Sequence, residues 1–180
     1  MSEHRVTITY LEMTSPGDHV PFTGTPRLDV RRAEIPCPEL NRFFYVAVGS
    51  DWSWHSRVGW PREQWEAYLA RPDQETWIGY MKGTPVGYFE LEQEPSEGVE
   101  LVYFGLLPSF IGMGLGAEFL SAAIDRAWRL EPHRIWVHTC TLDHPRALPN
   151  YRGSGFRVYS EETRTEYLPD PPARFWSDSG

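Results

Sequence analysis

The sequence predicts a single mixed α/β domain, and three observations support this. The chain has 180 residues, of which 41% are hydrophobic, enough to bury one sizeable core. Segments with strand alternation and segments with helical spacing follow one another in the order β-α-α-β-β-β-α-β-α-β. A glycine-rich turn over residues 111–116 leads directly into an amphipathic segment. The domain is expected to span residues 1–180, with 1–25 as an N-terminal extension and 169–180 as a surface tail.

The elements follow from hydrophobic periodicity and from the turn residues between them. In the extension, Arg5–Met13 alternates like an extra strand, and Pro, Gly, Asp and Thr mark residues 14–26 as a loop. The further predicted strands are Leu28–Ala33, Trp77–Met81, Val86–Glu92, Val99–Leu107, Arg134–Cys140 and Phe156–Tyr167. The predicted helices are Glu39–Val48, Arg62–Ala70, Gly114–Leu130 and Arg146–Arg152.

Charge and cysteine content narrow the class of protein. The 25 acidic residues exceed the 17 Lys and Arg, and a net charge of −8 argues against nucleic-acid binding and favours a cationic acceptor. Cys37 and Cys140 form no CxxC pair, which favours a reducing compartment. No apolar run resembles a signal peptide or a membrane span, so a cytoplasmic protein without membrane contact is expected.

The glycine turn is the strongest chemical signal. Glycines between a strand and a helix let backbone N–H groups approach a phosphate at the positive end of the helix dipole. No Lys-Ser or Lys-Thr follows, which excludes a P-loop. Gly112, Gly114 and Ala117 also match a loose dinucleotide pattern, but Glu131 precedes the next strand instead of ending it. A dinucleotide site and a purely structural role in packing remain alternatives.

Two motifs resemble the GNAT superfamily of N-acetyltransferases. The strand Val99–Pro108 and the turn Ile111–Gly116 resemble motif A, with Ile111 in place of the usual Gln or Arg. The run from His144 through Ala147 and Tyr151 to Gly155-Phe156 resembles motif B, with His144 in place of Asn and with Pro149 inside the expected helix. The resemblance implies a mostly antiparallel sheet that splays after its fourth strand, flanking helices, and acetyl-CoA as cofactor.

The resemblance also assigns the cofactor residues. Backbone N–H groups of Leu106 and Leu107 would bind the thioester carbonyl and pantetheine, and His144 would lie near the cofactor. The diphosphate would bind the cradle formed by Ile111, Gly112, Met113, Gly114, Leu115, Gly116 and Ala117.

Two residues are catalytic candidates. Glu100 corresponds to a glutamate that serves several GNAT enzymes as general base, although a carboxylate among Glu90, Glu92 and Glu94 can simply face water. Tyr151 would protonate the coenzyme A thiolate, with aromatic packing as its alternative.

The tryptophan-rich loop between the first two helices is the candidate acceptor pocket. Trp52, Trp54 and His55 would line it for an apolar or aromatic amine. The group His138, Cys140, Asp143 and His144 has no ligand spacing of a structural zinc site, so strand packing is favoured over a metal.

The sequence therefore predicts an acetyl-CoA-dependent N-acetyltransferase. The acceptor would be a primary amine of a small molecule or peptide, attacking directly in a ternary complex. A non-catalytic, coenzyme A-binding regulatory protein is the alternative, because Ile111, His144 and Pro149 depart from the family pattern. The oligomeric state is open, with a homodimer as one candidate.

Overall fold

A computed structural model describes residues 2–168, which form a seven-stranded sheet with four α-helices. The strands are β1 (Ser2–Met13), β2 (Asp29–Arg32), β3 (Gln74–Met81), β4 (Thr84–Glu94), β5 (Gly98–Leu106), β6 (Ile135–Cys140) and β7 (Arg157–Leu168). The helices are α1 (Pro38–Gly49), α2 (Arg62–Leu69), α3 (Gly116–Trp128) and α4 (Ala147–Gly153). The predicted fold class and element order are confirmed, whereas the predicted tail 169–180 lies outside the described residues.

The sheet order is β2-β3-β4-β5-β6-β1-β7, and every neighbouring pair is antiparallel except β5 with β6. Those two parallel strands pair only at Val99 with Ile135 and at Glu100 with Trp136. Beyond this point they separate. Val102 is bulged, since Glu90 pairs with Tyr103 and Leu91 with Leu101, and a bulge bends its strand. The predicted splay after the fourth strand of the main sheet is confirmed.

Strand β1 lies inside the sheet, between β6 and β7. Its residues Ile8–Met13 pair with β6, and Ser2–Glu12 pairs with β7. Leu11 and Met13 are fully buried. The sequence predicted an extra strand in the N-terminal extension without giving its place in the sheet, and the structure places it between two later strands. In this position β1 pairs with β6 on one edge and with β7 on the other. Without it, the facing edges of β6 and β7 would leave N–H and C=O groups without partners.

Helices cover both faces of the sheet. On one face, α3 and α4 pack Phe119, Ile124 and Tyr151 against the strands in the main core. On the other face, α1 contributes Phe44 and Val48 to a smaller cluster. No helix within residues 2–168 is long and apolar enough to cross a membrane. The loop between α1 and α2 lies beside the gap between β5 and β6, since residues of the loop and of both strands line one cavity.

Candidate active site

A cavity of about 1000 Å³ opens where β5 and β6 separate. Its walls come from five parts of the chain: the glycine turn before α3, the diverging strands, the loop after α1, the start of α4 and the end of β7. The cavity joins the turn at Gly112 with Trp52 of the loop and Tyr151 of α4. Gly112, Trp52 and Tyr151, to which sequence analysis assigned three different roles, therefore line one cavity.

The glycine turn forms a cradle at the N-terminus of α3. Gly112 and Gly114 have φ angles of +85° and +73°, which side chains with a Cβ rarely adopt. The helix begins at Gly116, and the first helical hydrogen bond runs from Phe119 N–H to Leu115 C=O at 2.9 Å. The preceding N–H groups of the first turn have no acceptor within the helix. They are available to an anion.

Arg27 braces this cradle from the outside. Its Nη1 donates to the Met113 carbonyl at 3.0 Å and its Nη2 donates to the Gly114 carbonyl at 2.9 Å. The buried Glu118 accepts the backbone N–H groups of Arg27 and Leu28, each at 2.7 Å. Sequence analysis missed Arg27, since nothing in the pattern links a loop arginine to a turn 86 residues away.

Two predicted cofactor residues do not have the expected geometry. The Leu107 N–H donates to the Val86 carbonyl at 2.8 Å, so β4 occupies it. Because hydrogen bonding alternates along an antiparallel pair, the Leu106 N–H points the other way, into the gap beside β6. Met113 is 45% exposed and does not line the cavity. Leu106 and the other six cradle residues do line it.

Tyr151 projects from α4 into the same cavity. Pro149 lies in the first turn of this helix, where a missing N–H costs no hydrogen bond. The Tyr151 ring is 7% exposed and packs edge-on against Phe104 and Phe156, with centroids 6.5 and 5.9 Å away. Burial raises the pKa of the hydroxyl above its usual value near 10, and the charge of Asp143 adds to this. Tyr151 is therefore protonated at neutral pH.

Comparison with known proteins agrees with this architecture. The model of the acetyltransferase (GNAT) family matches residues 38–156, more than half of the chain. The chain belongs to the GNAT acetyltransferase family. The match runs from the start of α1 to Phe156 and includes both motifs. No protein with a curated description matches the sequence.

Several solved GNAT structures share the fold. A GCN5-related N-acetyltransferase from Kribbella flavida superposes with a TM-score of 0.61 at 18% identity, over 95% of this chain and 61% of that one. One from Sphaerobacter thermophilus gives 0.65 at 12% identity, over 89% and 50%. An aminoglycoside acetyltransferase from an uncultured soil metagenomic sample, in complex with sisomicin, gives 0.56 at 15% identity, over 71% and 87%. The present chain thus spans half to three fifths of the first two proteins.

The tryptophan-rich loop of this GNAT protein lies over the cavity. Trp52, Trp54 and His55 all line it. Trp54 packs against Tyr103 with ring centroids 4.7 Å apart, whereas Trp52 contacts the His144 ring across the mouth, also at 4.7 Å. Trp54 also packs on Tyr45 and Tyr88, with ring centroids 5.7 and 6.4 Å away. Trp52 makes no contact with that aromatic cluster among the ring contacts of the described residues.

A buried arginine anchors this loop, and sequence analysis missed it. The Arg57 side chain is 7% exposed and its Nη1 donates to Glu90 at 2.7 Å, with the Glu90 side chain fully buried. The guanidinium lies over the rings of Tyr68, Tyr103 and Trp60, at 4.1, 4.6 and 4.7 Å. The sequence did contain a signal for this contact, namely an arginine inside a tryptophan-rich loop. It marks a cation held by aromatic faces.

The predicted base Glu100 does not line the cavity, although its side chain is only 19% exposed. Its carboxylate contacts His138 instead. Asp143, another member of the group considered for metal binding, accepts hydrogen bonds from the Thr139 hydroxyl and the Cys140 N–H. Among residues 2–168, no cluster of His, Cys, Asp and Glu has the arrangement of a metal site.

Proposed function

We propose that this protein transfers the acetyl group of acetyl-CoA to a primary amine of a small molecule or peptide, by direct attack in a ternary complex. The observation that carries the proposal is the continuity of one cavity from the glycine cradle to Tyr151 and the acceptor loop. The cavity would then bind a phosphate group at the cradle, a thioester near Tyr151 and an amine at the acceptor loop. Family membership supports acetyl transfer in general.

The residues present fit coenzyme A. A Cβ added at Gly112 would meet nothing within 4 Å, so the cradle has open space beside its backbone. The diphosphate would be held by N–H groups from Gly112 to Ala117, which act through the backbone and so tolerate Ile111 in place of Gln or Arg. The Leu106 N–H would hold the thioester arm, and His144 at the cavity mouth would contact the cofactor.

The chemistry of the cavity favours direct attack over an acetylated enzyme. Cys140 lines the cavity, but burial raises the pKa of its thiol, with the charge of Asp143 as a further cause. The thiol is therefore protonated at neutral pH and is a poor nucleophile. Tyr151, also protonated, can give its proton to the departing sulfur.

Amine-dependent release of free coenzyme A thiol tests the activity. The panel contains simple amines, amino acids, peptide N-termini and aminoglycosides, the last because one structural neighbour is an aminoglycoside acetyltransferase. We expect thiol release to saturate with both substrates and initial-rate plots to intersect, as a ternary complex requires. Coenzyme A binding without thiol release from any amine would instead favour the regulatory alternative.

A charge introduced at residue 116 tests separately whether the cradle binds the diphosphate. Gly116 begins α3 and lines the cavity, and a Cβ there would come no closer than 3.8 Å to another group, Asn150 Nδ2. Gly116→Asp should weaken coenzyme A binding about 10- to 100-fold relative to the isosteric Gly116→Asn, because a carboxylate repels the diphosphate. Calorimetric titration gives both dissociation constants. Since aspartate is favourable at a helix N-terminus, thermal stability should not fall relative to Gly116→Asn.

Pantetheine is the control ligand for this pair, because it lacks the diphosphate. It should bind Gly116→Asp and Gly116→Asn equally. Equal coenzyme A affinities for the two variants would contradict the assignment of the diphosphate to the cradle.

The position of Trp52 predicts a role in acceptor binding. Trp52→Ala should raise the KM for the best amine of the panel about 10-fold, as expected for loss of one large aromatic contact. The KM for acetyl-CoA should change less. The paired variant is Trp60→Ala, because Trp60 packs on Trp65 with centroids 5.0 Å apart and does not line the cavity. An unchanged acceptor KM in Trp52→Ala would remove Trp52 from the pocket.

A further inference from the structure

A carboxylate and an imidazole face each other at the point where β5 and β6 separate. Glu100 Oε1 lies 3.2 Å from His138 Nδ1, and the two side chains are 19% and 45% exposed. Glu100 belongs to the last residue pair that joins the two strands, opposite Trp136. His138 follows Trp136 by two positions and so shares its face of the sheet. The imidazole therefore stands where the gap begins.

Only the imidazole of this pair reaches the cavity. His138 lines it together with Cys140 of the same strand, whereas Glu100 does not. A group that removes a proton from an acceptor must lie within hydrogen-bond reach of it, directly or through one water. His138 satisfies this geometry better than Glu100, which lies behind it.

The Glu100 carboxylate also determines the tautomer of the His138 imidazole. With Nδ1 directed at Glu100, the neutral imidazole carries its proton on Nδ1 and leaves the Nε2 lone pair free. Within residues 2–168, Nε2 has no hydrogen-bond partner. The ring is flanked by Tyr10 and Trp136, with centroids 5.8 and 6.3 Å away. These contacts limit how far the ring can turn.

Charges from several elements act on His138. The hydrogen bond to Glu100 raises its pKa above 6.5, burial opposes this, and the charges of Glu100 and Asp143 raise it further. Arg164 of β7 lowers it. The balance is a raised pKa, which makes the imidazole a stronger base than an unperturbed histidine.

We propose that His138 is the general base for the acceptor amine and that Glu100 is a positioning residue acting through it. The inference rests on the proposed acetyl transfer and changes which side chain takes the proton. His138 Nε2 removes one proton from the acceptor ammonium, and the freed lone pair forms the C–N bond at the thioester carbon. The C–S bond breaks, and the sulfur leaves with the bonding pair and takes the Tyr151 proton. The new amide nitrogen loses its second proton through solvent, which restores the tyrosine, and His138 releases its proton to water.

The kinetic test compares three variants on the best amine of the panel. His138→Gln should lower kcat/KM for the acceptor about 100-fold and leave coenzyme A affinity unchanged. Glu100→Gln should cost less at high pH, since a glutamine oxygen still accepts from Nδ1. Its rate should begin to rise at lower pH than in the wild type, because the carboxylate charge that raises the pKa of His138 is gone. His133→Gln, an exposed histidine before β6, is the control and should behave as the wild type.

Titration of the ring by NMR adds a readout that needs no acceptor. In histidine-labelled protein without ligand, the midpoint for His138 should lie above 6.5 in the wild type and fall in Glu100→Gln. An unchanged midpoint would overturn the positioning role. If the wild type is active and His138→Gln is equally active, the base role is wrong. The base role is also wrong if the wild type is active and Glu100→Gln is inactive at every pH. If the wild type releases no thiol with any amine, the proposed function itself fails, and the base role fails with it.

Discussion

Arg57→Met is expected to lower the free energy of unfolding by about 3–5 kcal/mol, the usual cost of leaving a buried charge without its partner. Glu90 is fully buried, and its Oε2 accepts from Arg57 Nη1 and, at 2.6 Å, from the Tyr68 hydroxyl. Asn41 Nδ2 donates to the other oxygen at 3.0 Å. These neutral donors would remain in the variant, but the only buried cation within hydrogen-bond reach of Glu90 in the described part of the chain would be lost.

Urea denaturation of two matched variants isolates the effect of burial. Arg62→Met removes the same charge from a side chain that is 60% exposed and pairs with Glu39 and Glu66 on the surface. Its cost should stay below about 1 kcal/mol, since exposed ion pairs contribute little. The double variant Arg57→Met/Glu90→Gln should recover part of the loss, because no unpaired charge remains. Equal losses in Arg57→Met and Arg62→Met would contradict this interpretation.

The same pair connects stability with the proposed acceptor site. Arg57 lies in the loop that carries Trp52 and Trp54, and Glu90 lies on β4 beneath it. The guanidinium also packs on Tyr103, which lines the cavity. An anchor between loop and sheet would keep the aromatic wall in place while acceptors exchange.

Tyr151→Phe is expected to lower kcat about 100- to 1000-fold and to leave coenzyme A affinity nearly unchanged. Without the hydroxyl, the sulfur must leave as an unprotonated thiolate, and a positioned general acid is worth at least about 100-fold. Stability should change little, since the ring keeps its contacts with Phe104 and Phe156. Single-turnover rates and calorimetric titration separate the two quantities.

The pH profile of Tyr151 carries a second expectation. The pKa of its hydroxyl is raised above 10, so the acid form persists at every pH up to that value. The rate of the wild type should therefore show no fall below pH 10 that depends on Tyr151.

Tyr103→Phe is the matched control for the loss of a hydroxyl. Tyr103 lines the same cavity, but its hydroxyl lies 3.2 Å from the Ser56 hydroxyl in the loop. Its kcat should fall less than 10-fold, since the remaining effect is one neutral hydrogen bond. A comparable loss in both variants, or an unchanged kcat in Tyr151→Phe, would remove Tyr151 from the role of acid.

Local patterns account for the elements and for the glycine turn that lines the cavity. The amphipathic spacing of α3 follows directly from its sequence, as do the glycines that precede it and the alternation along β5. Each depends on residues a few positions apart, where periodicity and backbone freedom decide the structure. The cradle and Tyr151 could be predicted because their motifs have fixed spacing along the chain.

The tertiary structure alone decided which distant groups meet. Nothing in the sequence places β1 between β6 and β7, Arg27 on the carbonyl of Met113, or Arg57 on Glu90. Leu107 has the same residue type as Leu106, yet strand alternation gives its N–H to β4.

The proposed proton acceptor illustrates this division. Sequence analysis selected Glu100 because it corresponds to a glutamate that serves several GNAT enzymes as general base, while His138 was considered only for strand packing or a metal site. Because two strands that are remote in sequence diverge between these residues, the imidazole reaches the cavity and the carboxylate lies behind it. Resemblance to a motif singled out Glu100 from the sequence, and the separation of two strands determined that His138, and not Glu100, lines the cavity.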